Sequence, residues 1–249
     1  MANLFSGKMA AIFDAMYQNF IDYDKEYEFF NKLIQEENCY SILEIGSGTG
    51  NLAKRFYNNN KNYIGLDSSL SMIEIAQQKN KNCTFIHGDM RNFDLEKPVD
   101  AILITGRSTS YLINNEDIAD TFESIHKNLN SNGILIFDII DANRFIPFIK
   151  ENKTIIHKAH FDGIDYIRES QWETSPFENF VLDWNAKYYQ KNESKKDILV
   201  EDISTVRVFT VNEIQLFLYL NHFEILKIID RKTYAYDTYV FVAKKRNMF

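Results

Sequence analysis

Apolar residues in the first 36 positions recur at helical spacing. Met9, Ile12, Phe13 and Met16 share one face of a predicted helix over 8–19, and Phe29, Phe30, Leu33 and Ile34 share one face of a second over 22–36. Short apolar runs then alternate with amphipathic stretches. YSILEI, YIGLD (63–67), CTFIHGD (83–89), VDAILITG (99–106) and GILIFDII (133–140) read as strands. NLAKRFYNN and SLSMIEIAQQK (69–79) read as helices between them, and Ile118, Phe122, Ile125 and Leu129 mark another by their 4, 3, 4 spacing. This alternation implies right-handed βαβ units and a parallel sheet. Strands that are apolar nearly throughout imply helices on both faces of it.

Beyond residue 150 the pattern changes. TIIHKAHFDGIDYIRESQW, FVLDWNAKYYQ and ILVEDISTVRVFT alternate polar and apolar positions, as antiparallel strands do. Thr210 and Glu213 form a capping-box sequence opening a helix over 211–222, and FEILKIIDR and TYVFVAKK close the chain as strands. The predicted fold is α/β and Rossmann-like. It has a mostly parallel seven-stranded sheet with helices on both faces and an antiparallel strand insertion after the fifth strand. One domain over 1–249 is expected: a helical cap (1–36), a ligand-binding core (37–149), a roof-like insertion (150–209) and a closing helix with two strands (210–249).

Composition narrows the partners. A chain of 249 residues, 45% of them hydrophobic, supports a substantial core. With 28 basic and 35 acidic residues the net charge is −7, which disfavours nucleic-acid phosphates but allows a local basic pocket. Cys39 and Cys83 match neither a disulfide framework nor a zinc spacing. The opening MANLFSGKMAA lacks a signal-peptide core, and no apolar run is long enough to span a bilayer. The expectation is a cytoplasmic protein with a small-molecule substrate and no nucleic-acid or membrane partner, with a homodimer left open.

Residues 42–50 read ILEIGSGTG, an apolar run carrying one acid and ending in glycines. The stretch lacks the lysine of a phosphate-binding P-loop. It fits a dinucleotide fingerprint at Gly46 and Gly48, but Asn51 replaces the third glycine. That replacement points to a ligand without a pyrophosphate. S-adenosylmethionine (SAM) is such a ligand: adenosine, sulfonium and amino-acid tail. Gly46 and Gly48 let backbone approach the tail. Asp67, ending the second strand, can accept from the ribose hydroxyls, and Asp89, ending the third, from the adenine amine. Singly, each residue also reads as a tight turn or a helix cap. Their ordered placement at successive strand ends carries the assignment.

ILEIGSGTG, YIGLDSSLSMIEIA and especially FIHGDMRNFDL (85–95) resemble the class I SAM-dependent methyltransferases. Within them the chain looks most like small-molecule methyltransferases that include the nucleotide-aminosugar N,N-dimethyltransferases. FSGKMAAIFDAMY, the grouping of Asp22, Tyr23 and Glu26, and the insertion after the fifth strand fit that group. The resemblance implies cofactor roles for Tyr23, Glu44, Gly46, Ser47, Gly48, Asp67, Ser68, Met72, Asp89, Met90 and Thr105, with Met72 and Met90 flanking adenine. Phe5 stands where the aminosugar enzymes commonly have Tyr, and Tyr111 where some have His.

Methyl transfer is an in-line displacement at an activated carbon, so positioning can suffice without a catalytic triad. Tyr111, in the GRSTSYL stretch after the fourth strand, is the expected residue for orienting the acceptor or acting as a weak base. The expected substrate side comprises Phe5, Tyr17, Arg107, Tyr111, Arg168, Trp184 and Arg207. By alternation Tyr166, Arg168 and Trp172 share a face, as do Leu182, Trp184, Ala186 and Tyr188. An arginine facing the pocket could hold a phosphate or carboxylate. His157 and His160 would point to opposite sides of an extended segment, so no metal site is expected. The reading is a methyltransferase converting SAM to S-adenosylhomocysteine (SAH) with an N or O nucleophile of a small polar acceptor. A nucleotide-linked or modified sugar, as in sugar biosynthesis, is one such acceptor. The alternative is a non-catalytic SAM-binding sensor or interaction module of the same fold.

Overall fold

A computed structural model describes residues 7–161, 163–174, 180–191, 196–233 and 236–246. Two helices lead, α1 (Gly7–Phe20) and α2 (Tyr23–Glu36). The Asp22 side chain caps α2 by accepting from the Lys25 amide at 3.2 Å. The parallel part of the fold is β1 (Ser41–Ile45), α3 (Ala53–Asn58), β2 (Asn62–Asp67), α4 (Leu70–Lys79), β3 (Thr84–His87), β4 (Val99–Ile104), α5 (Asn115–Asn128) and β5 (Leu129–Ile140). After it come α6 (Ala142–Glu151), β6 (Ile155–Phe161), β7 (Ile164–Thr174), β8 (Val181–Lys191), β9 (Lys196–Arg207), α7 (Val211–Leu220), β10 (Phe223–Arg231) and β11 (Thr238–Lys245).

The main sheet runs β10-β11-β5-β4-β1-β2-β3. Strands β1 to β5 are mutually parallel, while β11 pairs antiparallel with both β5 and β10. Both faces are covered, which explains the continuous apolar strands. Leu43, Ile45, Ile104 and Phe137 pack with Phe122 of α5 and Leu218 of α7. Ile42, Leu103 and Ile136 pack with Phe30 and Ile34 of α2, Phe56 of α3 and Ile73 of α4 on the opposite face. Successive strands step outward from β1 through β2 to β3, then return on its other side as β4. This reversal opens a crevice at the carboxyl ends of β1 and β4, where such folds take ligands.

The insertion forms a separate antiparallel sheet, β6-β7-β8-β9, whose underside packs on α1 and α6 through Met9, Ile12, Met16, Phe145 and Ile149. Helix α6 is absent from the sequence reading. Ala142, Phe145 and Ile149 bury one face of it despite Pro147 inside the helix. The capping box opening α7 is present, with Thr210 Oγ1 accepting from the Glu213 amide at 3.1 Å. That helix ends at Leu220, two residues short of the predicted end. Among the described residues no helix is long and apolar enough to cross a membrane.

Candidate cofactor and acceptor site

Beyond β1 the chain turns through Gly46, Gly48 and Gly50 at φ of 71°, 53° and 73°. Such angles suit glycine, which has no Cβ to clash. The amides of Gly46 and Ser47 both donate to the Leu66 carbonyl, at 2.8 and 3.0 Å, and so bind the loop to β2. Asp67 completes the tie: Oδ2 accepts from the Gly48 amide and Oδ1 from the Ser69 amide, each at 2.8 Å. A carboxylate offers about four lone-pair sites, so roughly two remain for hydroxyls of a bound sugar. The loop borders a cavity of about 380 Å³ that also reaches the ends of β3, β4 and β5. That size suits a small-molecule site.

The charges lining this cavity test the cofactor. Asp14, Glu26, Glu44, Asp67, Asp89 and Asp138 contribute carboxylates, against the guanidinium groups of Arg91 and Arg231. Both arginines are already committed. Arg91 pairs with Asp89 at 2.6 Å and Asp117 at 3.0 Å, and Arg231 grips Glu26 through both Nη atoms at 2.9 and 2.7 Å. Beside the glycine loop, where Glu44, Asp67 and Asp89 lie, a pyrophosphate would meet net repulsion. A neutral ribose and a cationic sulfonium fit, with the oxygens of Asp67 as the built-in acceptors.

Glu44 is buried, its Oε2 accepting from Tyr63 OH at 2.5 Å and its Oε1 from Thr105 Oγ1 at 3.1 Å. Burial pushes its carboxyl up to about 7, although the two hydroxyls pull it down. Burial likewise pushes Asp138 up to about 6, opposed by Arg107, whose amide donates to Asp138 Oδ1 at 2.9 Å. Folded-state values above the unfolded ones mean the native state holds these protons more tightly. Their contribution to stability is therefore full at acid pH, below the unfolded value, and is lost as pH rises through the folded value. For Glu44 the loss is on the order of 3 kcal/mol at 1.36 kcal/mol per pH unit. Glu44→Gln is expected to gain melting temperature relative to wild type between pH 5 and 8; parallel melting curves across that range would contradict a buried, proton-binding Glu44.

Every position carried over for the cofactor, from Tyr23 to Thr105, borders the cavity, as do Tyr17 and Tyr111. Phe5 lies outside the described residues. Tyr111 is 42% exposed over the whole residue, but its hydroxyl end is enclosed beside Tyr17, Asp202, Tyr188 and Tyr236, and burial and these groups push it up. A phenol held protonated orients a nucleophile rather than deprotonating it, which narrows the two roles expected of it.

Arg107, Arg168, Trp184 and Arg207 do not border the cavity. Arg107 is buried at a left-handed φ of 66° and donates to Thr233 Oγ1 at 2.5 Å and to the Tyr236 carbonyl at 3.1 Å. It anchors the segment after β10 instead of reaching an acceptor. Arg207 is a plain correction. It pairs with the Glu213 carboxylate, Asn115 Oδ1 (2.8 Å) and the Ile113 carbonyl (3.1 Å), so its charge is spent joining β9 to α7. Arg168 and Trp184 lie under the roof sheet. His160 pairs with Asp165 at 2.7 Å while His157 faces inward, and among the described residues no group of side chains is arranged to hold a metal.

The sequence reading omitted Asp14, Asp138, Arg231 and Thr233 from the site, and took Glu26 only as part of an opening motif. Asp138 repeats the signal that exposed Glu44, a single acid inside an apolar strand. Asp14 has no such signal: it reaches across from α1 to Thr49, Asn51 (2.9 Å) and Lys79 (3.0 Å). Asn51, the departure from the dinucleotide fingerprint, thus helps hold α1 over the glycine loop.

This geometry is that of a SAM-binding α/β fold. A family described as a methyltransferase domain matches residues 42–133. An uncharacterized methyltransferase of Oceanobacillus iheyensis is 34% identical over 119 residues, 46% of this chain and 55% of that protein. The carboxy-S-adenosyl-L-methionine synthase of Staphylococcus epidermidis is 33% identical over 165 residues, 63% of this chain and 71% of that one. The chain spans about half the length of the first curated relatives it matches. Among solved structures, a SAM-dependent methyltransferase from Clostridium acetobutylicum superposes with a TM-score of 0.78 at 20% identity, covering 96% of this chain and 98% of that one. The sugar N-methyltransferase KedS8 from Streptoalloteichus gives 0.79 at 18% identity, covering 94% and 93%. The chain belongs to the SAM-dependent methyltransferases, and SAM is its cofactor.

Proposed function

We propose that the protein transfers a methyl group to an N or O nucleophile of a small polar acceptor, a modified or nucleotide-linked sugar being the favoured class. The observation that carries this reading is one cavity lined both by Asp67, the glycine loop and Met72 and by Tyr17, Tyr111, Asp138 and Thr233. In this reading residues 1–36 cap the cofactor, 37–149 bind it, 150–209 roof the acceptor and 210–249 complete the sheet. The likeness in fold to a sugar N-methyltransferase supports a sugar acceptor.

Bound SAM supplies an activated methyl group, which carries the difficult chemistry. The chain's own residues position. Tyr111 donates to the acceptor and fixes the attacking atom, and the roof excludes water. Asp138, raised toward neutrality in a buried setting, receives the proton that the nucleophile gives up. Labelled SAM offered with a panel of amino and hydroxy sugars, free and nucleotide-linked, tests the reading. Transfer to at least one is expected, whereas cofactor binding without transfer to any would favour the non-catalytic alternative. Tyr111→Phe is expected to lower kcat roughly threefold to tenfold, the worth of one positioning hydrogen bond, with SAM affinity unchanged. An unaltered kcat would remove Tyr111 from this role.

A further inference from the structure

Arg168 on β7 is 6% exposed, yet among the described residues no carboxylate pairs with it. Its mounts are neutral. Nη1 donates to Tyr17 OH at 3.3 Å and Nη2 to His157 Nδ1 at 3.1 Å, with the Trp184 ring 5.7 Å from its Cζ. His157 stays neutral because burial and the nearby guanidinium groups lower it to about 4. Asp202 lies on the same face, opposite Ala186, but bonds Ser204 Oγ at 3.1 Å. A buried charge without a counter-charge is costly and calls for a partner.

The groups around Arg168 share its condition. Arg168 Nε, Ser170 Oγ and Trp184 Nε1 are buried without a hydrogen-bond partner, and Tyr188 OH, set beside the Arg168 guanidinium, has no other partner among the described residues. They form one patch. Arg168 stands opposite Tyr188, Ser170 opposite Ala186 and Trp172 opposite Trp184, all on the underside of the roof. Ala186, in the middle of the patch, offers only a methyl group. Buried polar atoms are rarely left unpaired, and three together need an explanation. Arginine and indole N–H groups can only donate, and the two hydroxyls can donate as well, so the missing partner is an acceptor. Tyr17 links the patch to the methyl-transfer cavity, since its hydroxyl meets Arg168 while its side chain borders that cavity. The cavity's own arginines are tied to acids; Arg168 is not.

We propose that this patch, which adjoins the methyl-transfer cavity across Tyr17, is an oxyanion subsite where a phosphoryl or carboxylate group of the acceptor binds Arg168 with Ser170, Trp184 and Tyr188 as further donors. The inference rests on the reading that the roof covers the acceptor. Neutral mounts hold the guanidinium in place without cancelling its charge, which leaves its full attraction for the ligand.

The full-length protein saturated with SAH is titrated calorimetrically with inorganic pyrophosphate and, separately, with malonate. Wild type is expected to bind at least one of them and to melt higher in its presence. Binding of pyrophosphate alone assigns a phosphoryl group, and of malonate alone a carboxylate. Arg168→Met is expected to weaken that binding about tenfold or more, as loss of a charged hydrogen bond does. SAH affinity should be unchanged, and the anion-free melting temperature equal or higher because an unpaired buried charge is gone. A purely structural Arg168 would instead melt lower on substitution and show no anion effect in wild type. Should Arg168→Met not fold, Trp184→Phe removes only an indole donor and is expected to weaken the anion about threefold. Failure of wild type to bind either anion, or equal binding by the variant, overturns the subsite. Failure of wild type to bind SAH would overturn the cofactor site instead.

Discussion

Asp67→Ala is expected to weaken SAM binding on the order of 10²–10³-fold, the combined worth of two charged hydrogen bonds to ribose. The loss has a second source. The same carboxylate accepts from the amides of Gly48 and Ser69, so its removal also frees the glycine loop from the start of α4. Burial raises the Asp67 carboxyl, while those two amides and nearby His87 pull it back toward ionisation. Asp67→Asn separates the two effects: the amide oxygen keeps one loop contact, but the charge is lost. Calorimetric titration with SAM and SAH is the measurement. Affinity within a few-fold of wild type for the alanine variant would exclude Asp67 as the ribose ligand.

Gly46→Val is expected to abolish measurable cofactor binding and to lower the melting temperature. A Cβ at this position would lie 2.4 Å from Ser108 Oγ and 2.9 Å from Ser108 Cβ. Ser108 cannot easily turn away, because its hydroxyl donates to the Thr105 carbonyl at 2.9 Å. The left-handed backbone angle adds about 1–2 kcal/mol of strain for any L side chain. Gly48→Ala is the internal comparison, since nothing lies within 4 Å of its added Cβ and only the backbone strain applies. Its effect on binding and melting should be clearly smaller. Equal effects at the two positions would show that crowding against Ser108 does not decide the outcome.

The parallel half of the fold and the cofactor residues of its cavity were legible because local rules and global structure agree there. An apolar run, a glycine turn and an acid at the strand end each report on the same rim. The acceptor residues were harder to read. Arg107 and Arg207 carry charges that read as ligand contacts, but both bond to backbone and side chains brought together only by folding. Glu26 and Arg231 lie 205 positions apart, so neither announces the other. Helix α6 was hidden by Pro147, although buried Ala142, Phe145 and Ile149 keep the spacing of a helix face. Alternation grouped Arg168 with Tyr166 and Trp172, and Trp184 with Tyr188, but only the pairing of β7 with β8 brings the two groups to one side of the roof.

Helix α1 belongs to two neighbourhoods at once. Its Asp14 is clasped to Thr49, Asn51 and Lys79 around the glycine loop, while its Met9, Ile12 and Met16 sit in the core beneath the roof sheet. With the roof over the acceptor, as proposed, a displacement of one neighbourhood is expected to reach the other through this helix. Cofactor and acceptor affinities measured each in the presence of the other should then shift by the same factor in both directions.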